Sequence, residues 1–314
     1  MCGRRSRARP GAPTRIGAVA GRDIAPRERN LLGRAPSGGL VAGAIVSVQF
    51  GSAVATKLFS QVGPGGAVLL RLGSATIVLL ALWRPRLRGR PRRELLLACM
   101  FGVVLAGMNL SFYQSIDRIP LGIAVTIEFV GPLAVALAGS RRPIDLLWVA
   151  LAAAGILALT HGGMHGLNAL GVLFALVAGC LWGAYILLSA RVGRRFEGGT
   201  GLALSMCVAA AVALPAGVIA GGTHLLEPRS LAVGAAVGML SSVIPYSFEL
   251  EALRRIAEHV FGVLMSLEPA VAALAGLIVL GQGLSPRALV GIALVVVASI
   301  GASRQLRRAT PVPV

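Results

Sequence analysis

Residues 118–139 read RIPLGIAVTIEFVGPLAVALAG and residues 255–276 read RIAEHVFGVLMSLEPAVAALAG. Each is a run of apolar and small residues long enough to cross a bilayer as a helix, with a carboxylate and a proline near its middle. Set one beneath the other at an offset of 137, they pair Pro132 with Pro269, Arg118 and Ile119 with Arg255 and Ile256, and Ala136–Gly139 with Ala273–Gly276. Upstream, with one residue of slip, Ser111 and Phe112 meet Ser247 and Phe248. Apolar helices align easily by chance, but shared Arg, Pro and Ser do not, so the pattern reads as an internal repeat.

Working outward, about ten windows of roughly 20 apolar residues fall between Gly38 and Ser303. They predict helices over 40–60, 66–84, 95–114, 120–139, 145–161, 168–190, 201–221, 230–249, 259–280 and 287–304. The expected fold is therefore all-α integral membrane, with ten transmembrane helices in two five-helix repeats, 38–161 and 162–304. Five is odd, so the second repeat enters the membrane inverted relative to the first. Inverted repeats let two similar halves exchange conformations and so exchange inward and outward access, which points to a carrier with a site at the midplane. A chain that is 56% hydrophobic and 13% charged, with a mean hydropathy of +0.80, has too little charge to cover a soluble surface.

The net charge of +18 suggests nucleic acid only until its placement is considered. With a cytoplasmic N-terminus, 25 of the 30 basic residues fall on the cytoplasmic side, and only Arg118, Arg229 and Arg287 face outward. Lys57 and Arg71 lie within the first two predicted helices, close enough to the outer boundary to snorkel. This is the positive-inside bias of a multi-pass inner-membrane protein with both termini cytoplasmic, and nucleic acid is not an expected partner. Residues 1–37 lack the apolar run of a signal peptide and read as a basic disordered tail that anionic membrane lipids would attract; 305–314 read as a second cytoplasmic tail.

No metal site or cofactor is expected. Cys2, Cys99, Cys180 and Cys207 have no paired spacing, and the glycines between His161 and His165 make HGGMH a loop. No Walker lysine motif, G-x-S-x-G elbow or H-E-x-x-H motif occurs, and the chain is not read as an enzyme.

Chemistry is expected at the polar residues inside the helices. Glu128 and Glu268 each lie roughly 12–14 Å deep at 1.5 Å per residue, too far for a glutamate to reach the interface. Each must face a wet cavity, pair with a cation or carry a proton. Pro132 and Pro269 beside them, and Pro245, remove a backbone hydrogen bond and free a carbonyl. Gln49, Asn109, Trp182, Tyr185 and Tyr246 are the expected pocket lining, with Arg71 a further candidate, and Glu128 is the expected charged centre of a translocation path. Glu268 is either a second proton site or a helix fastener.

The phrases PLGIAVTIEFVGPLAVALAGSRRPID, GMNLSFYQSI, FGVLMSLEPAVAALAG and SSVIPYSFELEALRRI resemble the amino-acid exporters of the EamA branch of the drug/metabolite transporter superfamily, over about residues 40–304. That resemblance implies ten helices in two inverted repeats, and efflux of small amino acids such as threonine and homoserine coupled to proton entry, with Glu128 the expected partner of the substrate ammonium or the site of the coupling proton and Arg71 a candidate donor to the substrate carboxylate. The arginine-rich tail and a single lysine depart from the group. The alternative cargo on the same fold is another metabolite, an aromatic compound or a drug.

Overall fold

The computed structural model describes residues 35–85, 89–138, 147–148, 150–151, 154–155 and 168–309. Every described element is helical. In chain order they are α1 (Ser37–Thr56), α2 (Phe59–Trp83), α3 (Arg92–Ile116), α4 (Leu121–Glu128), α5 (Val130–Leu137), α6 (Ala169–Arg195), α7 (Thr200–Gly221), α8 (Pro228–Gly238), α9 (Ile244–Arg255), α10 (Glu258–Leu264), α11 (Glu268–Leu280) and α12 (Pro286–Ala309). A π-helical turn, Met239–Val243, joins α8 to α9, and a 3₁₀ turn, Met265–Leu267, joins α10 to α11. Among the described residues seven continuous helical stretches are long and apolar enough to cross a membrane, and Leu121–Val135 and Pro286–Ala298 are shorter apolar helices. Most of the helix expected over 145–161, the His161/His165 loop and most of the basic tail lie outside the described residues; residues 147–148, 150–151 and 154–155 are helical.

Three boundaries differ from expectation in ways that matter for the interior. The stretch QVGPG, expected as a loop, falls where two helical segments meet within α2: Gly63 takes a φ of 66° and a ψ of 170°, outside the helical region, and the chain kinks at Gly63–Pro64 before running on to Trp83. Only glycine adopts that φ without a steric penalty. Because α2 begins at Phe59, Lys57 sits exposed in a two-residue turn and not within a helix. Arg71 lies twelve residues in and is 2% exposed, so it does not snorkel. At the other end of the chain, the helix expected to stop at residue 249 runs on to Arg255. Its last turn is secured by Arg254, which donates to the carbonyls of Gly193 (3.0 Å) and Phe196 (2.9 Å) at the end of α6.

The third difference is at the opening stretch. The helix expected over 120–139 divides at Phe129 into α4 and α5. Pro132 has no N–H for the carbonyl four residues earlier, which is that of Glu128, and the break falls there. The same rule operates twice more. Pro245 leaves the Ser241 carbonyl free within the π turn, and Pro269 leaves that of Met265, which the Glu268 N–H takes up in the 3₁₀ turn.

Helices distant in sequence pack together more than neighbours do. α1 packs against α9 and α11, α2 against α7 and α8, α3 against α6 and α7, and α4 against α6 and α11. Small residues permit the close crossings. A Cβ on Gly131 or Gly179 would run into the backbone of the facing helix, so α4–α5 and α6 meet main chain to main chain. Large apolar side chains such as Ile77, Leu96, Leu173, Ile219 and Ile278 are on the outside. The interior holds further large apolar side chains, among them Leu72, Phe101, Leu105 and Phe129, with alanine, glycine and a set of buried polar groups.

Candidate functional site

Those polar groups surround one cavity. Val48 and Gln49 come from α1, Arg71 from α2, and Met108, Asn109 and Phe112 from α3. Glu128 ends α4, Trp182 and Tyr185 come from α6, Tyr246 and Glu249 from α9, and Glu268 opens α11. The empty space is ≈ 450 Å³, its opening included. All eight polar and aromatic residues singled out from the sequence border this space: Gln49, Arg71, Asn109, Glu128, Trp182, Tyr185, Tyr246 and Glu268.

Arg71 is the cation at its centre. Nε donates to the Ser242 hydroxyl (2.8 Å), Nη1 to the Tyr113 hydroxyl (3.3 Å), and Nη2 to the Tyr246 hydroxyl (3.1 Å) and to the Ser241 carbonyl. The last acceptor is the carbonyl that Pro245 frees, so the helix break supplies a partner for the guanidinium. The rings of Tyr113 and Tyr246 lie 5.4 and 5.7 Å from its Cζ, adding cation–π attraction. Four of the five N–H groups of the guanidinium are thus committed, leaving one on Nη1. Asn109 extends the cluster through its amide to the Tyr246 hydroxyl (3.0 Å) and the Leu105 carbonyl (2.7 Å).

Three carboxylates share the cavity, each differently held. Glu268 accepts from the Gln49 amide at Oε1 (2.7 Å), while its Oε2 and the Gln49 Oε1 are buried without a partner among the described residues. Glu249 accepts from the Tyr185 hydroxyl at Oε2 (2.8 Å). Glu128 is 7% exposed and has no hydrogen bond or ion pair among the described residues. The aromatic side chains are tied to one another, Tyr185 to Tyr246 at 5.5 Å between ring centres and Trp182 edge-on to Phe129 at 5.8 Å.

Sequence reasoning missed Glu249, Val48, Met108 and Phe112. The signal for Glu249 was present: it lies three residues after Tyr246, on the same helical face. Ending that helix at residue 249 placed the carboxylate at a boundary, where glutamates need no explanation.

Membrane-length helices that turn charged side chains inward onto a polar cavity are the arrangement of a membrane carrier. Comparison with known proteins narrows the class. A model of the EamA-like transporter family matches residues 169–304. The threonine/homoserine exporter RhtA of Escherichia coli strain K12 is 41% identical over 268 residues, 84% of this chain and 90% of that protein. The protein of the same description in Salmonella typhimurium strain LT2 is 41% identical over the same shares. A solved crystal structure shares the fold, with a TM-score of 0.62 and 20% identity, covering 87% of this chain and 99% of its own. The chain belongs to the EamA-like transporter family.

Proposed function

We propose that this protein exports small zwitterionic amino acids such as threonine and homoserine across the cytoplasmic membrane, by alternating access and in exchange for protons. The observation that carries the reading is the Glu128 carboxylate. It is buried at a helix break, turned onto the cavity, and has no partner among the described residues. An unpaired buried carboxylate costs several kcal/mol, and a ligand ammonium offsets that cost. A zwitterion also needs donors for its carboxylate. The free N–H on Nη1 of Arg71 is one, held beside the hydroxyls of Tyr113 and Tyr246. Gln49, Asn109, Trp182 and Tyr185 complete the wall. The choice of threonine and homoserine rests on the likeness to RhtA.

Alternating access follows from two inverted five-helix halves, 38–161 and 162–304, with ten spans and both termini cytoplasmic. The interleaved packing of early and late helices supports it, because each wall of the cavity is built from both halves. Trp182, Tyr185 and Tyr246 on the wall favour an aromatic cargo as the second reading. The hydroxyls of Tyr185 and Tyr246 are already committed to Glu249 and Arg71 and their rings meet each other at 5.5 Å, which leaves less stacking surface than that reading needs.

The test is efflux of labelled threonine from cells expressing the wild type or Glu128→Gln, with membrane levels matched by blotting. Export by the wild type and a loss of tenfold or more in the variant are expected. A variant that exports at the wild-type rate refutes the role given to Glu128. A wild type that exports no threonine refutes the cargo.

A further inference from the structure

The cavity holds three carboxylates and one guanidinium. With all three ionised, the site carries two uncompensated negative charges in a low-dielectric interior, and a zwitterion, neutral overall, changes nothing in that balance. Repulsion of this kind is relieved when a carboxylate takes a proton. The three are not equivalent acceptors. Glu128 has no partner among the described residues and is the group left for an ammonium. Glu268 is held at Oε1 by an amide N–H, which can only donate, and its Oε2 is buried without a partner among the described residues. Glu249 has Oε2 on the Tyr185 hydroxyl and Oε1 without a partner among the described residues. A hydroxyl donates or accepts by rotating its O–H, so the contact with Tyr185 persists whether Glu249 is a carboxylate or a carboxylic acid.

Resting on the amino-acid exporter reading, we infer that Glu249 is the proton-carrying residue of the transport cycle, positioned by Tyr185 and separate from the ammonium site at Glu128. Its Oε1 takes a proton from external water as the carboxylate becomes the acid, and returns that proton to cytoplasmic water in the opposite conformation. The groups that face it are Tyr185 from α6, Arg71 from α2, Glu268 from α11, Glu128 from α4 and Tyr246 on its own helix, while α1 contributes the uncharged Gln49 and α3 the uncharged Asn109 and, through Arg71, Tyr113. Glu251 and Arg254, further along α9, pair with each other.

The full chain in proteoliposomes separates binding from proton coupling. Threonine counterflow measures exchange with no net proton movement, and uptake driven by an imposed pH gradient measures coupling. Glu249→Gln, a fixed neutral isostere, is expected to keep counterflow within about twofold of wild type and to lose gradient-driven accumulation tenfold or more. Accumulation at the wild-type level in the variant, or loss of counterflow, overturns the assignment. Tyr185→Phe is the second variant, for which gradient-driven uptake should follow a displaced pH profile; an unmoved profile also overturns it. Wild-type protein that shows no threonine counterflow overturns the amino-acid reading and this inference together. Wild-type counterflow with no response to the gradient overturns this inference and the exchange for protons, and leaves the amino-acid cargo standing.

Discussion

Arg71 shows how much one buried side chain can organise. Its guanidinium ties α2 to the freed Ser241 carbonyl and the Ser242 hydroxyl of the π turn, and to tyrosines of α3 and α9. It also supplies the positive charge among Glu128, Glu249 and Glu268. Breaking a buried charge cluster by removing one member costs about 3–5 kcal/mol. Arg71→Leu is therefore expected to lower the thermal unfolding midpoint of the purified protein in detergent and to reduce its level in the membrane. Arg71→Lys should recover part of the loss, because an ammonium keeps the charge but cannot satisfy a planar fork of acceptors. A leucine variant that melts with the wild type contradicts this account.

At the scale of the element, the proline breaks and the glycine crossings work together. Pro132 frees the Glu128 carbonyl where α4 becomes α5, and Gly179 of α6 brings its backbone against that same residue. A methyl group on Gly179 would meet the Glu128 carbonyl and Cα, main-chain atoms that move only if the helices separate. Gly179→Ala is expected to destabilise by about 1–3 kcal/mol, the usual cost of overpacking, and to shift the Glu128 carboxyl from its place on the cavity. The measurements are the melting midpoint and the threonine efflux rate, both of which should fall. By contrast Gly73, whose Cβ would meet open space, should accept alanine with neither changed. A Gly179→Ala protein as stable and active as wild type would mean the helices part more freely than their packing implies.

For the whole molecule, the distribution of arginine sets the orientation. Nine basic residues precede α1 and six lie between Arg84 and Arg93, against single arginines at 118, 229 and 287. Fusions at either terminus are therefore expected to report the cytoplasm, with a C-terminal green fluorescent protein fluorescent and a C-terminal alkaline phosphatase inactive. An active phosphatase fusion would invert the chain and exchange the faces from which Glu249 gains and loses its proton. The interleaving of helices also explains why Phe59–Trp83 packs mainly on Thr200–Gly221 and not on its sequence neighbours.

Sequence by itself determined that this is a helical membrane protein, where most of its spans run, and that Glu128, Glu268, Gln49, Asn109 and the aromatic pair on one face of α6 belong inside. Those conclusions rest on hydropathy, the cost of charge in hydrocarbon and helical periodicity, all properties of short stretches. What only the tertiary structure decided was the depth of Arg71, the inclusion of Glu249 and the number of carboxylates that share one cation. Arg71 went inside because its acceptors come from α3, α9 and the π turn, and Glu249 went inside because α9 continues to Arg255. Both depend on segments distant in sequence and not on the residues beside them in the chain.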